Sequence, residues 1–312
     1  MVSRSVPRAW LQLLRVPNHP TAWADVLAGG LFVWGGWPPA ATLAALLGSS
    51  WALYAAGMVL NDVFDLEQDA RERPSRPLPS GRIARGTALA VGIGLVVAGV
   101  ACAVLAAWFC RDWRPAIIAA VLALLVLAYD GWLKPTRWAP FVMGACRTTN
   151  WLLGMTAGVS PHASWCGFET AGLVAAAGIG VYVCGITWFA RDEAGEPRRS
   201  DQVLGLLLML GGLGLWAAVG GVDPFATGAR SLRFSHPMVW PLLVVMIGFP
   251  VLRRGLVAMI GGSPGGAIKL MIFSIIVLDA ALVLATATGT AALVVLSLLL
   301  PAWLLGKWVY ST

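Results

Sequence analysis

The sequence contains few charged residues. Asp, Glu, Lys and Arg make up 12% of its 312 residues, whereas a soluble globular domain carries roughly 25%. This shortage excludes a typical soluble enzyme, a coiled coil and a disordered chain. Hydrophobic residues make up 58% of the chain, so the composition indicates an α-helical protein that crosses a membrane several times.

Cysteine is also scarce, and its spacing is irregular. An odd number of cysteines argues against a disulfide framework, and these fit no metal-binding pattern, so we interpret them as packing residues. They lie in or beside apolar runs, at Cys102, Cys110, Cys146, Cys166 and Cys184.

Ten apolar runs are close to the length of about 20 residues that a helix needs to cross the hydrocarbon core. The last two are separated by a short segment, so we expect nine or ten spans. The fold class is therefore an all-α transmembrane bundle, with one integral-membrane domain over residues 1–312. Prolines precede the first run, so we expect it to be a retained span and not a cleaved signal peptide. The runs lie near residues 19–37, 40–60, 86–109, 115–133, 138–159, 169–190, 202–222, 238–252, 267–287 and 289–309.

The basic residues are unequally distributed between the two sides of this bundle. Most Lys and Arg residues fall on one side if the N-terminus is cytoplasmic, as the positive-inside rule requires. The net charge of +7 is thus explained by membrane orientation, and we expect no nucleic-acid partner. The abundance of Ala, Gly, Arg and Trp favours a bacterial origin, so we expect an inner-membrane protein with its acidic motifs in the cytoplasm.

The first acidic motif follows the second apolar run, where the chain leaves the membrane. It contains Asn61, Asp62, Asp65 and Asp69, and the three aspartates would share one face of a helix. Carboxylates held this close repel one another unless a cation binds, and Mg²⁺ is usually held by such oxygens together with substrate phosphates. The alternative is a solvated, charged helix end.

Arginines follow this motif directly. Acidic residues that hold a metal beside arginines that hold oxyanions suit a phosphate or diphosphate ligand. The alternative is a loop whose positive charge only sets membrane orientation. The arginines are Arg71, Arg73, Arg76, Arg82 and Arg85.

Polar residues inside the fifth apolar run form another candidate group. Arg147 and Asn150 lie within this run, and a charge inside a membrane helix is costly unless it faces the protein interior with a partner. We predict a cavity-lining or network role for Arg147, with a structural ion pair to Asp130 or Asp25 as the alternative. Asp279 presents the same ambiguity.

These motifs resemble the UbiA superfamily of intramembrane prenyltransferases. The segment Asn61-Asp62-x-x-Asp65-x-x-x-Asp69, followed by Arg-Pro-Leu-Pro-Ser-Gly at 76–81, resembles the family's first aspartate-rich motif. Tyr129-Asp130-x-x-Leu133-Lys134 resembles its tyrosine-to-lysine segment.

Two further segments extend the resemblance. Asp192-x-x-x-Glu196 occupies the place of the second aspartate-rich motif, with a glutamate where the family usually has aspartate. The segment containing Gly144, Arg147 and Asn150 is similar to the EboC-like bacterial branch.

The resemblance implies a helical bundle around a cavity that opens toward the acidic motifs and toward lipid. Both motifs would hold Mg²⁺ on the diphosphate of a prenyl donor, and a lipophilic or aromatic acceptor would attack the resulting carbocation. The alternative is a carrier or transporter of a lipophilic precursor that keeps the cavity but does not transfer; an assembly role in a membrane complex is a third possibility.

The resemblance also assigns roles to individual residues. Arg76 and Lys134 would hold the diphosphate, and Tyr129 would orient it or shield the carbocation. The expected metal-site residues are Asn61, Asp62, Asp65, Asp69, Asp192 and Glu196. The expected catalytic residues are Asp62, Asp65, Tyr129 and Lys134, and the expected substrate-binding residues are Asn61, Arg76, Lys134, Arg147 and Asn150.

Overall fold

The computed structural model describes residues 6–158, 166–191, 198–221, 232–234, 236–261 and 264–310. The regular secondary structure of these residues is helical. The α-helices are α1 (Val6–Leu13), α2 (His19–Trp34), α3 (Ala40–Phe64), α4 (Leu66–Glu72), α5 (Arg85–Cys110), α6 (Arg114–Ala128), α7 (Ala139–Met155), α8 (Thr170–Phe189), α9 (Arg199–Ala218), α10 (Val239–Ile260), α11 (Pro264–Thr286), α12 (Gly289–Ser297) and α13 (Leu299–Tyr310).

Each of the ten predicted apolar runs contains a helix. Eight helical segments among the described residues are long and apolar enough to cross a membrane, counting α12 and α13 as one segment. The two remaining runs form α2 and α7, which have 16 and 17 residues. The protein is therefore an all-helical integral membrane protein, while the count of nine or ten spans stays a prediction.

Helix α2 lies in the interior of the bundle. Nearly all of its residues are buried, and it contacts α3, α7 and α11. A helix that is apolar on every side is expected to be surrounded by other helices. By contrast, α5 and α6 are only 22% buried inside the protein, so they present most of their apolar surface outward, where a membrane helix meets lipid.

Glycines allow the interior helices to cross at very short distances. A Cβ atom on Gly29 of α2 would lie 2.5 Å from the Trp151 carbonyl oxygen of α7, and one on Gly154 of α7 would overlap the Val26 carbonyl oxygen of α2. Gly144 and Gly180 play the same part between α7 and α8. Such small-residue contacts let helix backbones approach and are typical of membrane helix packing.

One end of the bundle gathers the termini of the motif-bearing helices. An ion pair between Asp65 and Lys134 joins the end of α3 to the segment after α6. The C-terminal turn of α8 lies at the same end, because Trp188 packs edge-on against Phe141 in the first turn of α7, with ring centroids 5.4 Å apart. This arrangement places Arg191, the last described residue before the second acidic segment, at the end of the bundle that carries the first.

The crossing of α2 and α7 should not tolerate a side chain at Gly154. We expect Gly154→Ala to destabilise the protein by about 1–3 kcal/mol, because the methyl group forces two backbones apart. Gly94→Ala in α5 is the matched control, since a Cβ there meets nothing within 4 Å; it should leave stability unchanged or slightly raise it through helix propensity. Unfolding in detergent measures both, and equal stability of the two variants would contradict the close crossing.

Candidate functional site

A cavity of about 260 Å³ runs between α3, α6 and α7. One face of α3 runs along the cavity, and the 11 residue steps from Ser50 to Asn61 correspond to about 16 Å of helix. The lining residues of α3 repeat at three- and four-residue spacing, as one helical face requires. They are Ser50, Leu53, Tyr54, Gly57, Met58 and Asn61.

The middle of the cavity is apolar, and its two ends are polar. The middle is lined by Leu53, Met58, Leu122, Val126 and Met143. We call the end at the helix termini the outer end and the opposite one the inner end. The outer end is lined by Arg15, Asn61, Asp65, Arg73, Arg76, Tyr129, Asp130 and Lys134, and the inner end by Ser50, Tyr54, Arg147 and Asn150.

Ion pairs organise the acidic motif at the outer end. Asp62 Oδ1 lies 2.9 Å from Arg15 Nη2 and 3.6 Å from Arg76 Nη1, and the same Arg76 nitrogen lies 2.5 Å from Asp69 Oδ2. Lys134 pairs with Asp65. The cations that offset the carboxylates therefore come from three separate segments of the chain, and they hold these segments against the end of α3.

The aspartates do not lie on one continuous helix, so that prediction is wrong. Helix α3 ends at Phe64 and α4 begins at Leu66, with Asp65 between them. Only Asp65 lines the cavity, whereas Asp62 and Asp69 are buried beside it and hold Arg15 and Arg76. Asp62 and Asp69 do not line the cavity because Arg76 lies between them and pairs with both carboxylates.

A turn of π-helix after α6 positions Tyr129 and Lys134 of the tyrosine-to-lysine segment. It spans Tyr129–Leu133, and the Lys134 N–H donates to the Tyr129 carbonyl oxygen at 2.9 Å. Such wide turns occur frequently at functional sites. Within this turn Asp130 accepts a hydrogen bond from Asn61 Nδ2 at 3.1 Å. The side-chain amide oxygen of Asn61, Oδ1, is thereby left available to a ligand.

Hydrogen bonds and an ion pair fix the polar residues of the inner end. Arg147 Nε lies 3.1 Å from Asp25 Oδ2, so Arg147 pairs with Asp25 and not with Asp130. Asn150 Nδ2 donates to the same Asp25 oxygen at 2.9 Å and to the Ala22 carbonyl oxygen at 2.9 Å. Ser50 Oγ donates to Asn150 Oδ1 at 2.7 Å.

Asp279 of α11 completes this buried cluster. Trp151 Nε1 donates to Asp279 Oδ1 at 3.2 Å, and the neighbouring residue Asn150 donates to Asp25. Both aspartates are 0% exposed. Four helices, α2, α3, α7 and α11, therefore meet around one set of polar groups.

The cavity brings together most of the residues predicted from the sequence. Asp192 and Glu196 lie outside the described residues. The cavity residues that sequence reasoning missed include Arg15 and Tyr54, whereas Arg73 was among the arginines expected to suit a phosphate or diphosphate. A left-handed backbone at Arg15, with φ of 48°, marks its unusual position only once the structure is known. The predicted residues that line the cavity are Asn61, Asp65, Arg76, Tyr129, Lys134, Arg147 and Asn150.

The oxygens at the outer end suit Mg²⁺, although the described residues contain no preformed cluster of three His, Cys, Asp or Glu side chains that could hold a metal. Mg²⁺ is commonly held by one or two carboxylates together with substrate phosphates. The carboxylate of Asp65 and the side-chain amide oxygen of Asn61 supply hard oxygen donors on the cavity wall, so the donor set fits this mode of binding.

Comparison with curated proteins identifies relatives that cover part of the chain. A digeranylgeranylglyceryl phosphate synthase from Methanopyrus kandleri is 31% identical over 159 residues, or 49% of this chain and 55% of the relative. The protein of the same name from Pyrococcus horikoshii is 32% identical over 136 residues, covering 44% and 46% of the two chains. The matches thus span about half the length of these relatives.

Solved structures share the fold over nearly the whole chain. A structure of digeranylgeranylglyceryl phosphate synthase in membranes superposes with a TM-score of 0.65 at 18% identity, covering 90% of this chain and 98% of that one. A UbiA homologue from Archaeoglobus fulgidus bound to GPP and Mg²⁺ gives a TM-score of 0.63 at 13% identity, covering 93% and 99%. At these identities the likeness shows the fold alone.

The UbiA prenyltransferase family matches residues 22–201. This range contains the residues that line both polar ends of the cavity, with the exception of Arg15. The EboC-like affiliation is not shown by these matches and stays a prediction. Because the matched range covers more than half of the chain, this protein belongs to the UbiA prenyltransferase family.

Proposed function

We propose that this protein is an Mg²⁺-dependent prenyltransferase that moves an isoprenyl group from a prenyl diphosphate to a lipophilic acceptor within the membrane. The observation that carries the proposal is the division of the cavity. Its outer end combines Asp65 with Arg73, Arg76 and Lys134, and its middle is apolar. A molecule with an anionic head and a hydrocarbon tail matches this pattern.

The basic residues of the outer end suit a diphosphate. Arg76 and Lys134 lie on the cavity wall and pair with carboxylates of the first motif. A bound diphosphate with Mg²⁺ would satisfy the same cations and carboxylates together, so each charge keeps a partner on binding. Charge-assisted bonds of this kind are roughly twice as strong as neutral ones.

Asn61 and Asp65 would hold the metal through their oxygens, and Asp192 and Glu196 are the proposed residues for the second motif. When bound, Mg²⁺ would offset the negative charge that develops on the leaving diphosphate. The residues of this chain then bind and orient the donor: Arg76 and Lys134 contact the phosphate oxygens.

The apolar middle of the cavity protects the reaction. A prenyl carbocation reacts readily with water, and a cavity lined by Leu53, Met58, Leu122 and Val126 excludes it. Tyr129 lines the cavity at its outer end, where its ring would orient the diphosphate or shield the carbocation. The relatives named above are by name synthases of digeranylgeranylglyceryl phosphate, and the structural neighbour binds GPP, which motivates isoprenoid donors for this chain.

The first test removes the carboxylate of Asp65. Asp65→Asn should lower the turnover number at least about 100-fold, because the metal and Lys134 both lose their anionic partner. Diphosphate release is measured from geranyl, farnesyl and geranylgeranyl diphosphates, with and without Mg²⁺, beside a panel of aromatic, quinone-like and glycerol-lipid acceptors. Glu67→Gln, an exposed acid two residues away, is the control and should retain full activity. Donor binding without acceptor-dependent release in the wild type would favour the carrier alternative.

A second test separates binding from turnover. Lys134→Gln should weaken binding of farnesyl thiodiphosphate, a slowly reacting donor, about 10- to 100-fold, the value of one charge-assisted hydrogen bond. Arg137→Gln is the matched control, since Arg137 is exposed at the same end of the bundle. Titration calorimetry of the protein in nanodiscs with Mg²⁺ measures both affinities. Equal weakening in the two variants would show only a general loss of surface charge and would contradict a contact with the diphosphate.

A further inference from the structure

We propose that the inner end of the cavity binds the acceptor through an uncharged oxygen, a carbonyl or a hydroxyl, and that it rejects a carboxylate or phosphate there. The inference rests on the proposed function in one respect: it takes the occupant of the inner end to be the acceptor. It is carried by the charge balance of the cluster formed by Asp25, Asp279 and Arg147.

Arg147 has hydrogen-bonding capacity that faces the cavity. Its Nε is directed at Asp25, and no other described residue accepts a hydrogen bond from its side chain. The residue is 8% exposed and lines the cavity. The guanidinium group carries five N–H donors in a fixed fork, so its terminal nitrogens can donate to an oxygen of a molecule in the cavity.

Asp25 and Asp279 together carry one negative charge more than the arginine beside them can balance. Among the described residues, Arg147 is the cation within ion-pair distance of these carboxyl groups, and each keeps one oxygen, Asp25 Oδ1 and Asp279 Oδ2, that accepts no hydrogen bond from a described donor. Both residues have no exposure to solvent, and a second ionised carboxylate without a cation is strongly unfavourable there. One proton held by the pair removes one negative charge.

The cluster is then electrically neutral. One carboxylate charge balances Arg147, and the remaining groups packed around these side chains, Asn150, Trp151 and the phenol of Tyr54, carry no charge. A carboxylate or phosphate at Arg147 would leave one buried negative charge without a partner, which is strongly unfavourable. A carbonyl or hydroxyl oxygen accepts a hydrogen bond from Arg147 and leaves the neutrality unchanged.

The position of Arg147 suits a recognition role for the end of the acceptor remote from the donor. Arg147 and Tyr54 line the same cavity, and Tyr54 precedes Asn61 on α3 by seven residues, or about 10 Å of helix. A molecule anchored at Arg147 can therefore extend through the apolar middle toward the donor at the outer end. The quinone and phenol classes of acceptor have this form, with an uncharged oxygen at one end of an apolar ring.

The experiment compares probes that differ in charge but hardly in shape. Binding of 4-hydroxybenzamide and 4-hydroxybenzoate, and of 2-naphthamide and 2-naphthoate, is measured calorimetrically with the full chain in nanodiscs, without donor. In each pair we expect the amide to bind the wild type at least 10-fold more tightly than the carboxylate. Equal or tighter binding of the carboxylate, or no binding of either amide, would overturn the inference.

Variants of the cluster test the physical cause. The double variant Asp25→Asn/Asp279→Asn leaves Arg147 unbalanced, so it should reverse the preference and bind the carboxylate at least 10-fold more tightly. Each single Asn variant should keep the preference for the amide, since the remaining carboxyl group ionises and balances Arg147. An unchanged preference in the double variant would show that charge balance is not the cause.

A third variant and a parallel assay locate the probe and separate the two proposals. Arg147→Gln should weaken amide binding at least 10-fold. Arg253→Gln should not, because Arg253 is an exposed residue of α10 that does not line the cavity. The wild-type comparison needs no substitution, so it decides the inference even if a variant does not fold. Diphosphate release is followed in the same preparations: carboxylate preference with release intact overturns the inference alone, and an amide preference without release overturns prenyl transfer alone.

Discussion

The pairing of buried charge between α2 and α7 is the constraint on which the interior of this protein depends. Asp25 and Arg147 lie in helices that are otherwise apolar, and neither charge is stable there without the other. Gly29 and Gly154 lie one helical turn beyond Asp25 and Asn150, and they let the two backbones approach closely. The glycine contact thus sets the helix separation at which the ion pair and the Asn150 hydrogen bonds form.

The cavity follows from this central crossing together with the separate ionic network at the helix ends. The carboxyl groups of Asp25 and Asp279 in the inner cluster have no exposure to solvent, whereas the outer network places Arg15, Arg73, Arg76 and Lys134 at the cavity wall. A low-polarity region separates them, and it strengthens the electrostatic interactions at both ends. The arrangement assigns the charged part of a ligand to the outer end and an uncharged oxygen to the inner end.

Local patterns in the sequence predicted the helices. The site features that depend on contacts between distant residues could not be predicted from it. Runs of apolar residues predicted every helix around the cavity, and the cost of burying Arg147 correctly indicated a partner, with Asp25 among the two candidates. The sequence patterns did not single out Arg15, because its contact with Asp62 joins residues 47 positions apart. The interruption at Asp65 was also missed, because the spacing of the aspartates does not mark the end of α3 at Phe64.

The four polar residues of the first motif consequently perform two different tasks. Asn61 and Asp65 lie on the cavity wall, where they can contact a ligand directly. Asp62 and Asp69 lie behind the wall and fix Arg76 between them. A long, flexible arginine side chain loses considerable conformational entropy on binding an anion, and two buried carboxylates that already hold it reduce that loss. The acidity of the motif would therefore serve anion binding as well as metal binding, because two of its three carboxylates position the cation that would receive the phosphate.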